Sequence, residues 1–248
     1  MKLKMKSKII IFVFLFCFVT FILLNFFSKE HNGSNMDEFQ REFVKTSGFL
    51  TEENNGTNAI SKYAEAIKIL YSNNADKIDF NQPSEQYDIG KDINLPVLNK
   101  IYEVFISGAK QENLGLFTYY EFRITIDIPD YGSFKLLEFI FLQKVMERIA
   151  ESKLYIEDDL DKSLILTKAN IAMGIQFAEQ DYKTLRMTGL SGKEKGLRML
   201  EYYLRQKHDD IELQKSIDNI RKELNEETEQ VRKMKNPEPP SFWYYFFH

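Results

Sequence analysis

The most constraining feature of the sequence is an apolar run near its beginning. Residues 9–27 contain no charged side chain, and their polar members are Thr20 and Asn25. About 20 apolar residues in a helix cross the hydrocarbon core of a bilayer. The run therefore predicts a transmembrane signal-anchor, to which we assign these anchoring side chains: Ile9, Phe12, Leu15, Phe18, Phe21, Leu24 and Phe27.

The charges on either side of this run predict its orientation. Residues 1–8 carry four lysines and no acid, whereas Lys29 and Glu30 after the run cancel. Because the more basic flank stays in the cytoplasm, residues 1–8 form a cytoplasmic n-region and the chain from residue 28 lies outside. The single cysteine, Cys17, belongs to the apolar run, so the exported part has no disulfide. A bacterial inner (cytoplasmic) membrane, with the lipid bilayer as one partner, is the expected location.

The exported part is acidic. Without the four lysines that precede the anchor it holds 29 basic and 37 acidic side chains, a formal net charge of -8. A dedicated nucleic-acid binder needs a basic surface to neutralise phosphates, so we expect no nucleic-acid partner.

Scarce glycine and proline, at 11 and 6 of 248 residues, favour a mainly α protein. We expect a polar stalk over residues 28–57 that contains one short helix near 37–46, and a helical extracytoplasmic domain over 58–234. Helical spacing of apolar residues predicts the helices of that domain. They lie at about 58–72, 95–109, 133–152, 158–181, 193–207 and 210–234, with a polar connection over 73–93 and a break at Gly189 and Gly192.

One segment departs from the helical period. Between Glu121 and Ile128 apolar and polar residues alternate strictly before Pro129, which is typical of a half-buried strand. No other segment shows the period clearly, so we expect one short extended stretch across the helices rather than a true sheet.

The first helix of the domain carries a resemblance. Ala59, Tyr63 and Ala66, followed by a turn at residues 73–75, resemble the second helix of a tetratricopeptide repeat over one half-repeat. The layout of anchor, helix, long polar loop and further helices also resembles uncharacterised bacterial membrane-anchored helical proteins. The resemblance implies an irregular helical-hairpin fold and no particular activity.

The sequence gives little support for catalysis. The three histidines, His31, His208 and His248, have no zinc-site spacing, and phosphate-loop and serine-hydrolase motifs do not occur. We therefore expect no metal, no cofactor and no catalytic residue. Asp127 and Asp130, on either side of Ile128-Pro129, are the place where two carboxylates could approach for acid/base work, but no partner group is evident and a plain turn is the favoured explanation.

The C-terminal segment, residues 235–248, combines a proline-rich spacer with an aromatic tail. Residues 237–240 read Pro-Glu-Pro-Pro and form a stiff spacer. Behind it come six consecutive aromatic residues: Phe242, Trp243, Tyr244, Tyr245, Phe246 and Phe247. Such a tail can fold back onto the protein's own helices, contact the bilayer interface or dock on a partner protein.

These features predict a membrane-anchored extracytoplasmic scaffold or accessory interaction protein of a cell-envelope assembly, with an envelope protein as partner. Two alternatives stay open. One is an envelope hydrolase with a dispersed carboxylate site, and the other is a membrane-surface module that uses the aromatic tail.

The first prediction concerns the anchor. The positions before a cut near Ser28 hold bulky residues such as Phe26, whereas signal peptidase prefers small ones. We expect residues 1–27 to be retained, and the intact mass of the membrane-extracted protein measures this. A mature N-terminus beyond residue 27 would instead identify a cleaved signal.

Overall fold

A computed structural model describes residues 38–53, 58–73, 78, 80, 93–206 and 210–235. The chain divides into two compact units, residues 1–38 and residues 39–248, and the described residues belong to the second apart from Glu38. Within the described ranges no helix has the length and apolar character needed to cross a membrane. The anchor predicted at 9–27 lies outside those ranges.

The described residues form a mainly α protein with seven helices and one three-stranded antiparallel sheet. The helices are α1 (Glu38–Lys45), α2 (Ala59–Ser72), α3 (Leu95–Lys110), α4 (Leu136–Tyr155), α5 (Leu160–Ala178), α6 (Lys183–Gln206) and α7 (Ile211–Lys233). The strands, in the order β1-β2-β3, are β1 (Thr118–Tyr120), β2 (Thr125–Ile128) and β3 (Gly132–Lys135).

Side-chain caps set the beginnings of three helices. The side-chain oxygens of Asn58, Asp159 and Asp210 accept hydrogen bonds from backbone N–H groups three residues ahead, at 2.9, 3.1 and 2.9 Å. Each bond satisfies a donor that the first helical turn leaves free. Lys162, whose side chain and N–H both bond to Asp159, lowers the pKa of that carboxyl.

Helices α5 and α6 approach each other closely, and glycines permit the approach. A Cβ on Gly189 would lie 2.4 Å from the carbonyl oxygen of Gly174 and 2.3 Å from the backbone nitrogen of Ala178. Real side chains essentially never come so near a backbone atom, so a side chain at 189 would force the two helices apart. The α5–α6 pair is therefore in backbone-to-backbone contact.

The same face of α6 continues against two further helices. A Cβ on Gly192 would meet the side-chain amide of Gln143 in α4 at 2.4 Å. Lys193, fully buried, donates to both carboxylate oxygens of Glu227 in α7 at 2.7 and 2.8 Å. Because a buried charge needs a close partner, this pair sets the position of α7 along α6.

The predicted helices agree well with the observed ones except around α4 and α6. Residues 133–135 begin the predicted helix at 133–152 but form strand β3. The break predicted at Gly189 and Gly192 is wrong, because α6 continues through both. Each glycine costs a helix about 1 kcal/mol relative to alanine, and here the close packing of α5 on α6 outweighs that cost.

The prediction of a single extended stretch is also wrong, since three strands pair. Tyr119 lies opposite Ile126, and Ile126 lies opposite Phe134, so these residues share the buried face of the sheet. Strands β1 and β3 have three and four residues, too few to show a period-two pattern in the sequence. The short strands form because hairpin turns and the helices beneath hold them.

Residues 38–53, which the sequence assigns to the stalk, pack on the helical body. Val44, Phe49 and Leu50 are buried in the same core cluster as the later helices. The N–H groups of Leu50 and Thr51 donate to carbonyl oxygens at the end of α3, at 3.1 and 2.9 Å. The core therefore begins near α1 rather than at Asn58.

The residues behind the tetratricopeptide resemblance form the buried face of α2. Ala59, Tyr63 and Ala66 are each inaccessible to solvent. The Tyr63 hydroxyl donates to Gln176 Oε1 at 2.6 Å, and a Cβ on Gly108 would touch the Tyr63 ring at 2.7 Å. This contact joins α2, α3 and α5.

Packing and helix propensity predict opposite effects of a Gly→Ala substitution in α6 on the free energy of unfolding. Gly189→Ala should lower the free energy of unfolding by about 2–3 kcal/mol, since a methyl group there meets only backbone atoms. Gly192→Ala is the matched control, because its methyl group first meets the end of the Gln143 side chain, and the nearest backbone atom, Gly174 Cα, lies 3.3 Å away. Urea unfolding followed by circular dichroism measures both. Equal stabilisation of the two variants by about 1 kcal/mol would mean that propensity alone decides.

Candidate functional site

The turn between β1 and β2 is the most unusual surface feature of the described residues. The N–H of Arg123 donates to the Tyr120 carbonyl at 3.1 Å, and the N–H of Ile124 donates to the Glu121 carbonyl at 3.2 Å. Two successive turns thus close the hairpin. The chain then enters β2 at Thr125.

The conformation of Ile124 is strained. Its φ is 50°, within the left-handed region. A β-branched residue there is a genuine outlier, and an L-residue in this region costs about 1–2 kcal/mol. Glycine is the residue that hairpins of this kind prefer at such a position. Strain of this type is concentrated at functional sites.

Apolar side chains project from this turn into solvent. The exposed fraction is 99% for Phe122, 68% for Leu137, 47% for Ile124 and 44% for Tyr120. Leu137 belongs to this group because the neighbouring Leu136 donates its N–H to the Ile124 carbonyl at 3.0 Å. We call these four residues the apolar tip.

The base of the tip is fixed to the helical core. Tyr119 packs its ring against Tyr182 with centroids 4.9 Å apart, and Phe134 packs against Phe139 of α4 at 6.0 Å. Burial raises the pKa of Tyr119. The tip therefore stands on a rigid support.

The two aspartates considered for acid/base chemistry belong to the β2–β3 hairpin, Asp127 in β2 and Asp130 in the turn. The Asp127 carboxylate accepts a hydrogen bond from the Ser133 hydroxyl across the strand pair. Asp130 lies in the turn itself, exposed, with a left-handed φ of 65°. Both positions are explained by the hairpin.

A buried polar cluster joins α4 to α6. The Lys195 ammonium donates to Ser191 Oγ at 3.3 Å and to Gln143 Oε1 at 3.5 Å, and burial lowers its pKa. Nearby, Arg198 pairs with Glu147. These contacts hold two helices in register, which is a structural role.

An open groove of about 450 Å³ lies between the end of α2 and the beginning of α3. Lys68 and Lys100 stand at it, beside Ile69 and Val97. Lys68 is already engaged, since its ammonium lies 5.1 Å from the centroid of the Tyr131 ring. Much of the chain that joins the two helices lies outside the described residues, and we assign the groove no function.

The site residues chosen from the sequence are not among the described residues. The seven anchor residues fall within 9–27, and the six aromatic residues Phe242 to Phe247 fall within 236–248. Both assignments stay predictions.

Sequence reasoning missed the apolar tip. The alternating pattern placed Phe122 and Ile124 on the same buried face as Ile126 and Ile128. In the structure only the last two are buried, because the left-handed residue at 124 ends the strand register. A composition signal existed, since a hairpin turn normally contains Gly, Asn or Asp and this one contains none.

Comparison of the chain with models of protein families, with curated proteins and with solved structures finds no match in any of the three.

The strain at Ile124 generates a prediction about stability. Ile124→Gly should raise the free energy of unfolding by about 1 kcal/mol, because glycine adopts a positive φ without steric cost. Thr125→Gly is the control at an extended position and should lower it by about 0.5–1 kcal/mol. Chemical unfolding of the two variants decides, and a loss of stability in Ile124→Gly would contradict the strain assigned here.

Proposed function

We propose that the protein is a membrane-anchored extracytoplasmic scaffold or accessory subunit of a bacterial cell-envelope assembly, and that it docks on a protein partner through the apolar tip. The observation that carries the proposal is a fully exposed Phe122 on a turn that keeps Ile124 in a strained conformation. Soluble proteins usually avoid clustered exposed apolar side chains, and such clusters are typical of interaction sites.

The shape of the tip supports insertion into a pocket. Aromatic side chains at the centre of an interface contribute most of its binding energy when they fill a well-packed cavity. Phe122 is the most exposed of the four residues at 99%, whereas Tyr120, Ile124 and Leu137 are between 44% and 68% exposed. A partner would match this arrangement if it had an apolar pocket large enough for one aromatic ring, surrounded by a flat apolar rim.

The charges around the tip favour a protein rather than an anionic membrane surface. Arg123 and Lys135 are exposed beside it, and the acidic Glu121 and Glu138 are partly exposed there as well. A rim of mixed sign is typical of protein interfaces. A loop that binds anionic lipids would instead be expected to carry an excess of basic residues.

The helical body suits a scaffold. α5 and α6 form an antiparallel hairpin whose backbones touch, and α2 packs on α3 through Tyr63 and Gly108. On this proposal the helices form an irregular helical-hairpin scaffold, the arrangement that the tetratricopeptide resemblance implies. The anchor predicted at residues 9–27 would keep the body at the outer face of the inner membrane. The hydrolase alternative gains no support from Asp127, whose carboxylate is engaged by Ser133.

The test begins with the identity of the partner. A photo-crosslinking amino acid at position 122 of the full chain, expressed in cells, should capture one envelope protein of defined mass. The same amino acid at position 211 is the control, because Ile211 is 69% exposed but lies far from the tip. It begins α7, a helix of 23 residues, and the opposite end of that helix is the one near the sheet. Crosslinks from 122 to phospholipid alone would contradict a protein partner.

Binding to the captured partner then gives a quantitative prediction. Phe122→Ser should weaken the affinity of the purified protein about 30-fold, since a central aromatic anchor contributes about 2 kcal/mol or more. Ile211→Ser should change the affinity less than about threefold. Neither variant should change the melting temperature, because both side chains are exposed. Equal affinities of the two variants would show that the tip is not the docking element.

A further inference from the structure

The end of α7 lies at the beginning of α6. The Lys183 ammonium donates to the carbonyl oxygen of Arg232 at 2.9 Å and to that of Met234 at 3.2 Å. The cation thus satisfies carbonyl groups that the end of a helix leaves free. These bonds fix the point from which residues 236–248 depart.

That point is close to strand β1. Tyr182, next to Lys183 in the chain, packs its ring edge-on against Tyr119 at the centre of β1, with centroids 4.9 Å apart. From Met234 to β1 the path therefore consists of one lysine side chain, one peptide unit and one ring contact.

Strand β1 has an unpaired edge within the described part of the chain. It stands at the end of the order β1-β2-β3 and pairs with β2 alone. Its residues are Thr118, Tyr119 and Tyr120, without the lysine or proline that usually protects an edge. Leu116, just before the strand, is 79% exposed. An unprotected apolar edge of this kind is suited to receive another strand.

The chain that follows Lys235 has the reach and the composition to fill that edge. Residues 236–241 contain three prolines, and six residues of polyproline II helix extend about 19 Å. A spacer of this length can bridge the few side chains that separate the end of α7 from β1. Residues 242–247 are all aromatic, and aromatic residues are among the strongest strand formers.

We propose that residues 242–247 add to the free edge of β1 as a fourth strand of the sheet. Successive side chains of a strand point to opposite faces, so Phe242, Tyr244 and Phe246 share one face while Trp243, Tyr245 and Phe247 share the other. One triplet extends the buried face that Tyr119 begins, and the other extends the exposed face that Tyr120 begins. The proposal needs neither the membrane anchor nor the partner of the apolar tip.

Hydrogen exchange of backbone amides tests the pairing directly. The full chain in lipid nanodiscs is compared with a chain that ends at Lys235. Strand addition predicts that the truncation accelerates exchange at residues 117–120 about tenfold or more, while exchange in β3 and α5 stays the same. Unchanged exchange at 117–120, or acceleration confined to another surface, would overturn the proposal.

Two matched variants of the full chain separate a strand from a shapeless apolar contact. In one, Phe242, Tyr244 and Phe246 are replaced by threonine, and in the other, Trp243, Tyr245 and Phe247 are replaced. Threonine retains strand propensity but removes the ring. A strand predicts that one triplet accelerates exchange at 117–120 about tenfold and the other less than about threefold, since only one set of rings is buried. Equal effects, or none, would overturn it.

The fluorescence of Trp243, the single tryptophan of the chain, tests the alternative that the tail lies at the bilayer interface. Nanodiscs with brominated phospholipids quench indole fluorescence at the membrane interface. Docking on β1 predicts no more quenching than that of a soluble indole added to the same nanodiscs. Strong quenching would place the tail at the bilayer and overturn the proposal, while leaving the proposed role of the apolar tip untouched.

Discussion

Helices α5 and α6 touch through their backbones, and the arrangement of the other elements depends on that contact. The approach is possible because Gly174 faces Gly189 with no side chain between them. Once the two helices lie so close, the next residues of α6 have fixed directions. Gly192 leaves space for the Gln143 amide of α4, and Lys193 extends through the core to the Glu227 carboxylate of α7. A small change in the glycine contact would therefore displace three neighbouring helices at once.

The position of α6 also determines where the sheet can stand. Its first turn follows Tyr182, whose ring supports Tyr119 in β1, while Phe134 of β3 rests on Phe139 of α4. Three strands of three or four residues would be unstable alone, because an isolated hairpin is marginal in water. They persist because Tyr182, from the loop between α5 and α6, and Phe139 of α4 cover one face. The exposed turn beyond them can then keep an unfavourable conformation at Ile124 without loss of the fold.

The helices could be predicted from the sequence far better than the sheet and the tip. Periodicity and caps located α2, α5 and α7 within two or three residues, because those signals are local. The continuation of α6 through Gly189 could not be predicted, since the benefit of the glycine comes from α5 and not from its own helix. The apolar tip was missed for a related reason: Phe122 and Ile124 match a strand pattern, and only the positive φ at Ile124 turns them outward. The glycine contact depends on a distant segment and leaves no local trace, whereas the only local sign of the tip is a turn without Gly, Asn or Asp.

The sheet carries two features that promote aggregation, the exposed apolar turn and the unpaired edge of β1. An exposed apolar turn and an unprotected strand edge both promote aggregation, and natural proteins usually protect against each with charges, prolines or cover. Strand β1, from Thr118 to Tyr120, contains no charge and no proline, and the Phe122 ring is 99% exposed although Glu121 and Arg123 flank it. The occupants proposed here remove both liabilities without competing, because a strand beside β1 binds backbone groups along the edge, whereas a partner of the tip binds side chains beyond the turn. Filling the edge would also stiffen the base of the turn, so the tip would be presented to its partner with less loss of conformational entropy.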